Sequence, residues 1–250
     1  MNILVDHTLI NYAKPAVYAG FSASRHDPKM KSTFDTFDMV NPDLYIADSN
    51  LLNNTVFKNI EERPALKVCV IQKGQVESPI KEEFTNRFGD VYPWIVDLGY
   101  ADLFDFAKSQ YVPKYKSDIV SIEDDITAIL ESINLPFSIN FKIFSSKKIN
   151  SNNYCGYISQ QNKKYAYASS KCSIAVEDNI YNSILCNCFP IMFGSSILDQ
   201  INTDYTNQLK ELKEEVIQSK TYFNALSSVL DIFGLSKESS IILNKAKELL

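Results

Sequence analysis

Short apolar runs punctuate the first part of this chain: "NILV" (2–5), "LYIA" (44–47), "LKVCVIQ" (66–72) and "VYPWIVD" (91–97). Each is largely apolar on both faces, which predicts strands buried in a parallel sheet rather than half-exposed ones. Between them the period turns helical. Pro15 suits the first turn of a helix through about Ala23, where its missing N–H is not needed. Phe34, Phe37 and Val40 share one side of a second helix, which Asn41-Pro42 ends, and further helices are predicted around 51–61 and 78–88. Strands alternating with helices read as right-handed crossover units with helices on both faces of the sheet.

Pro113, inside the polar stretch "SQYVPKYKSD", interrupts this pattern, and a second series follows. Its predicted strands are "DIVSI" (118–122), "INFKIFS" (139–145), "YCGYIS" (154–159), "CSIAV" (172–176) and "FPIMF" (189–193). Residues 161–171 are helical in spacing, and "SIEDDITAILESI" (121–133) reads as a capped amphipathic helix with Ile126, Ile129, Leu130 and Ile133 inward. From Asp199 onward the chain is helical, with Leu209, Leu212, Val216, Tyr222 and Phe223 at helical intervals. The heptad is not sustained, so a packed helix is expected there rather than a coiled coil. Another helix starts at Ser236. The expectation is an α/β chain of two Rossmann-like domains with parallel sheets, residues 1–113 and 114–202. A C-terminal helical tail, 203–250, would pack back on either domain or meet a protein partner.

Composition narrows the function classes. Lys and Arg number 25 against 30 Asp and Glu, a net charge of −5, which argues against nonspecific binding of nucleic-acid backbones. Lys114 with Lys116, and Lys142 with Lys147 and Lys148, are local basic groups. The five cysteines sit mostly in apolar runs, and Cys186-Asn187-Cys188 lacks the gap usual in zinc or redox pairs. With His7 and His26 the only histidines, no cysteine/histidine metal site is predicted, and reduced thiols in a cytoplasmic, soluble protein are expected; a divalent cation at an acidic loop stays open. No charged-then-apolar leader opens the chain, and no apolar run approaches the roughly 20 residues of a membrane span.

Candidate chemistry gathers at strand ends. Asp6-His7-Thr8 follows the first strand, where His7 or Asp6 could take a proton from an acceptor hydroxyl, or His7 could merely close a turn. Asp48-Ser49-Asn50 holds the equivalent place after "LYIA" and is read as capping a helix from Leu51. Glu177-Asp178 joins strand 172–176 to a helix over roughly 179–187. Asp178 as N-cap explains one acid; Glu177 has no evident structural duty, so it either accepts hydrogen bonds from a ribose or sugar hydroxyl or is a bystander beside a capped helix. The loop after "DIVSI" runs Glu123-Asp124-Asp125 without glycine, whereas a phosphate cradle uses glycine to bring backbone to the anion. Three carboxylates there repel a diphosphate unless a divalent cation intervenes.

Three segments carry a family resemblance: "FDTFDMVNPDLYIAD" (34–48), "SDIVSI" (117–122) and "NYCGYISQQNKKYAYASSKCSIAVEDNIYNSILCNCFPIMF" (153–193). Together they resemble the GT-B fold glycosyltransferases, more narrowly the small family 1-like enzymes of bacteria, phages and large viruses. Asp178-Asn179-Ile180-Tyr181 stands where such proteins carry Glu-Arg-hydrophobic-Phe, and Leu185-Cys186-Asn187-Cys188 replaces a glycine-containing turn. The resemblance implies transfer of a sugar from a nucleotide-sugar donor bound between the domains to a hydroxyl acceptor. It puts Gly156, Tyr157 and Ile158 near the base and Asp178 near the sugar or ribose, and it implies no required cofactor or metal. Backbone N–H groups and a basic side chain, Lys142 or Lys171, would hold the diphosphate. Missing glycines support a competing reading, a catalytically inactive relative serving as a binding or assembly subunit. A third is a double-Rossmann protein for an unrelated ligand.

Overall fold

The computed structural model describes residues 1–27, 36–74, 79–124, 138–191 and 196–250. The chain forms two compact α/β units, Met1–Gly99 with Tyr222–Leu249, and Tyr100–Thr221. Each carries one all-parallel sheet.

In the first unit β1 (Asn2–Asp6), β2 (Ser22–His26), β3 (Leu44–Asp48), β4 (Lys67–Lys73) and β5 (Trp94–Asp97) lie in the order β2-β1-β3-β4-β5. All five residues of β3 are buried, as its unbroken apolar run requires in the middle of a covered sheet. One face packs Leu4, Phe37, Tyr45, Phe57, Val70 and Phe84 into a core that Trp94 joins from β5. Phe57 meets Phe84 edge-on at 6.0 Å and Phe88 at 5.6 Å, and the Arg87 guanidinium lies 5.1 Å above its ring.

The helix expected from Pro15 to Ala23 is instead α1 (Ile10–Tyr18), with Pro15 inside it. The helix starts early because His7–Leu9 already winds as a 3₁₀ turn, so Pro15 withholds a hydrogen bond from the Asn11 carbonyl. It stops early at Gly20, whose φ of +85° closes a Schellman motif: Phe21 N–H donates to Ala16 O and Gly20 N–H to Val17 O, both at 3.0 Å. Residues 22–23 then open β2, an unforeseen edge strand whose "SASRH" is polar because most of it is not buried. The helix carrying Phe37 is α2 (Thr36–Val40), with Phe34 outside the described residues. α3 (Asn54–Glu61) is capped by Asn53, whose side chain accepts from Thr55 and Val56 N–H, while Asp48 caps the 3₁₀ turn Ser49–Leu51 before it. α4 (Ile80–Phe88) precedes β5.

In the second unit, α5 (Leu103–Phe106) precedes β6 (Ser117–Ser121). β7 (Phe141–Ile143), α6 (Gln160–Ala168), β8 (Ser170–Ile174), α7 (Asp178–Leu185) and β9 (Phe189–Pro190) follow. The strand order is β7-β6-β8-β9. Ile119, Ile143, Cys172, Ile174 and Phe189 form the core, against which Leu209 of α9 (Thr206–Ser219) packs after the short α8 (Ile197–Asn202). The strand expected over 154–159 is absent. Tyr154 makes one isolated bridge to Ile143, and Gly156 at φ +90° turns the chain out of extended geometry. The amphipathic helix read into 121–133, with Ile126, Ile129, Leu130 and Ile133, falls mostly outside the described residues, as does Asp125.

The boundary expected at Pro113 lies at Gly99–Tyr100 instead. Ala101 N–H donates to Lys220 O at 2.7 Å and bridges to Thr221, which ties this stretch to the second unit, and Pro113 only starts a 3₁₀ turn within that unit. Nor is 203–250 a separate tail. α9 belongs to the second unit, whereas α10 (Tyr222–Ile232) and α11 (Ser236–Lys247) belong to the first, where Tyr222 meets Tyr12 at 5.4 Å and Phe223 meets Tyr18 at 6.3 Å. The five cysteines are free, four of them buried, and burial pushes the Cys69 thiol up to about 12.

Trp94, the chain's only tryptophan, lies 5.8 Å from Phe84 and donates its indole N–H to Gln72, so its fluorescence reports on the first unit's core. Phe57→Ala should cost about 3–5 kcal/mol, read as a lower urea midpoint by that fluorescence. An unshifted midpoint would contradict this packing.

Candidate functional site

From β6 the chain goes to β7 on one side, and from β7 it returns through α6 to β8 on the other side of β6, so the strand order reverses at β6. Ligands of open parallel sheets bind at the carboxyl ends of strands beside such a reversal. A cavity of about 410 Å³ lies there, walled by the loops after β6, β7 and β8 and by the segment around Tyr157. Its apolar side is Ile122, Phe144 and Ile158, each almost fully buried in the fold, and the Tyr157 ring stands at 72% exposure.

Hydrogen bonds between these loops set the walls. Asp124 Oδ1 accepts from Ser145 Oγ at 2.9 Å and from Ser146 N–H at 2.7 Å, while Oδ2 accepts from Ser146 Oγ at 2.7 Å. The Ser146 hydroxyl and N–H, then the Ser145 hydroxyl, lower its pKa to about 2, since each donor favours the charged form. Glu123 Oε1 accepts from Val176 N–H at 3.1 Å and from the Asn179 amide at 3.2 Å. Two acids that read as an anion-repelling or cation-recruiting loop therefore act as staples from β6 to the loops after β7 and β8. Among the described residues no three His, Cys, Asp or Glu side chains are placed to hold a metal ion.

Glu177 differs. Asp178 was expected as the N-cap of the following helix, but it is the first residue of α7, and Glu177 holds the N-cap position without a side-chain capping bond. Its backbone lies at φ 50°, ψ −130°, a region costly for a side-chain-bearing residue. The exposed carboxylate lines the cavity and makes no hydrogen bond among the described residues. Lys163, in the first turn of α6, also lines the cavity.

Of the residues singled out beforehand, Tyr157, Ile158 and Glu177 come together here, and the Gly156 carbonyl receives Ser145 N–H beside them. Lys142 and Lys171 do not line the cavity. Lys142 Nζ donates to Lys114 O at 2.6 Å, and Lys171, near the amino end of β8, pairs with Asp118 at 3.2 Å. A sheet's amino edge is the wrong end for this site. Lys163 was missed because "QNKKYAY" shows only a helical period.

In the first unit the edge after β1 separates Asp6 from His7. Asp6 is fully buried; its carboxylate accepts from His26 Nδ1 at 2.7 Å, Tyr45 O–H at 2.9 Å and Asp48 N–H at 2.7 Å. An enclosed, thrice-bonded carboxylate is not placed to take a proton from a ligand, which corrects Asp6 as a base. Burial and then the charge of Asp6 push the Tyr45 phenol well up, keeping it a donor. His7 is partly exposed, its Nδ1 3.8 Å from Asp27 Oδ1 and without a hydrogen bond among the described residues. Thr8 O–H donates to Asp48, and Lys73 Nζ donates to Thr8 O at 3.0 Å.

No protein-family model and no curated protein matches this chain. Among the described residues no helix is long and apolar enough to cross a membrane.

The Asp124 staple has a pH signature. Its folded pKa lies below the unfolded value of 3.8, so its contribution is complete above that value and lost as pH falls through about 2. The group is exposed, so Asp124→Ala should cost at most about 1 kcal/mol. In a carboxyl NMR titration Asp124 should move near pH 2, and the double change Ser145→Ala, Ser146→Ala should raise that midpoint toward the ordinary value. A midpoint already ordinary in the parent protein would refute the staple.

Proposed function

We propose that this protein is a GT-B-like glycosyltransferase, moving a sugar from a nucleotide-sugar donor to a hydroxyl acceptor. The observation that carries the reading is the cavity at the carboxyl ends of β6, β7 and β8, with the unengaged Glu177 carboxylate at its strand-to-helix junction. Tyr157 and Ile158 offer surface for a base, and Glu177 accepts hydrogen bonds from a ribose or sugar hydroxyl. The second unit is assigned the donor side and the first the acceptor side. The acceptor oxygen bonds the anomeric carbon, the bond from that carbon to the phosphate oxygen breaks, and the nucleotide leaves with the electron pair. His7 takes the acceptor proton, with Asp27 beside its Nδ1 to orient the ring.

A noncatalytic binding subunit is the second reading, and the lining itself supports it: Glu123, Asp124 and Glu177 leave little room for the charge of a diphosphate. An exposed apolar face on the last two helices would have strengthened it. α10 instead buries most of its apolar side chains inside the first unit, with Ile232 as its exposed large one.

The two readings separate in a panel of nucleotide sugars scored for thermal stabilisation and, with hydroxyl acceptors, for nucleotide release. A donor at a hundredfold its Kd should stabilise by about 2.7 kcal/mol. His7→Ala should cut release about 10²–10⁴-fold while leaving that stabilisation intact. Stabilisation without release from any acceptor supports the binding subunit, and no stabilisation by any donor removes the glycosyltransferase reading.

A further inference from the structure

The cavity of the second unit has a charge pattern that limits what its nucleotide can carry. Among the described residues, Glu123, Asp124 and Glu177 line it against one cation, Lys163. Lys147, outside the lining, has its charge against Asp124. A nucleotide's phosphates need cations or convergent backbone N–H groups. Among the described residues, four wall N–H groups are already engaged: Phe144 N–H on Ser121 O, Ser145 N–H on Gly156 O, Ser146 N–H on Asp124 and Val176 N–H on Glu123. At the start of α7, Asn179 N–H returns to Val176 O and Ile180 N–H to Glu177 O. The wall segments 121–124, 144–146 and 176–179 contain no glycine, lysine or arginine.

One lining cation among the described residues, with these wall N–H groups taken, matches one phosphate. We propose that this cavity takes a nucleoside bearing a single phosphate, so that the donor is a sugar joined to a nucleoside monophosphate rather than to a diphosphate. The base lies on the Tyr157 ring and the Ile122, Phe144 and Ile158 side chains, Glu177 accepts from hydroxyls, and Lys163 meets the phosphate. This rests on the nucleotide-sugar reading above and specifies its donor. In the transfer, the sugar's anomeric carbon gains the acceptor oxygen and loses the phosphate oxygen. The nucleoside monophosphate departs with that electron pair, and the acceptor proton goes to the base.

Calorimetric titration of the full chain with nucleosides, nucleoside monophosphates and nucleoside diphosphates of uracil, cytosine, adenine and guanine tests this. For the preferred base the monophosphate should bind at least tenfold more tightly than the nucleoside, and the diphosphate within threefold of the monophosphate. Lys163→Met, checked for an unchanged melting curve, should remove the monophosphate's advantage and leave nucleoside affinity in place. A diphosphate more than threefold tighter than the monophosphate overturns the inference while leaving the glycosyltransferase reading standing. A monophosphate no better than its nucleoside, or one unaffected by Lys163→Met, also overturns the inference. Failure of every probe to bind overturns both.

Discussion

A buried carboxylate organises the first unit. Asp6 has no exposed surface, and an ionised group taken out of water is tolerated only where donors replace the lost hydration. Its donors come from His26 at the end of β2, from the Tyr45 hydroxyl early in β3 and from the Asp48 N–H at the end of β3. Both strands are neighbours of β1, so this one side chain fastens three strand tips at the carboxyl edge of the sheet. The chain leaving β1 is fixed as a result. His7 stands next after Asp6 and begins the 3₁₀ turn into α1, and Thr8 and Lys73 extend the same bonding toward β3 and β4. The position that reads as a catalytic base is the one that fastens the edge from which its neighbour is presented.

The second unit uses the same device in a more exposed setting. Asp124 and Glu123 each reach across from the end of β6, one to the loop after β7 and the other to the loop after β8. These bonds hold the cavity walls where a glycine-rich loop would otherwise let backbone approach a ligand. The staples and the cradle compete for the same N–H groups, so a site walled this way gives up backbone donors for shape and leaves a phosphate to the Lys163 side chain.

Strands buried on both faces were legible in the sequence because burial leaves an unbroken apolar run, as in β1, β3 and β4. β2 was invisible for the converse reason: an edge strand needs no apolar face, and "SASRH" resembles a loop. "YCGYIS" carries strand-like residues, yet Gly156 at φ +90° cannot continue a ladder, and a glycine's sign of φ is not written in its neighbours. Of the site, Glu177 was found because strand ends are places where ligands bind, whereas Tyr157 and Ile158 were named only through the family resemblance. The partners of Asp6 lie 20, 39 and 42 residues away, and no local pattern links a carboxylate to donors brought by other strands. The lysines show the same limit. Lys142 and Lys171 lie on strands and Lys163 on a helix, and only the winding of α6 decides which of them lines the cavity.

Glu177 is where these constraints meet. A residue at φ 50° with a side chain is held against its own preference, and the turn from β8 into α7 leaves it no capping bond in return. Val176 just before it and Asn179 just after both bond Glu123, so the turn is clamped on either side of the strained residue. Serine, threonine, aspartate or asparagine would cap α7 from that position, and glycine would relieve the φ. A glutamate does neither, and what it adds is a carboxylate on a rigid mount, facing a cavity whose other two acids are already bonded to the protein.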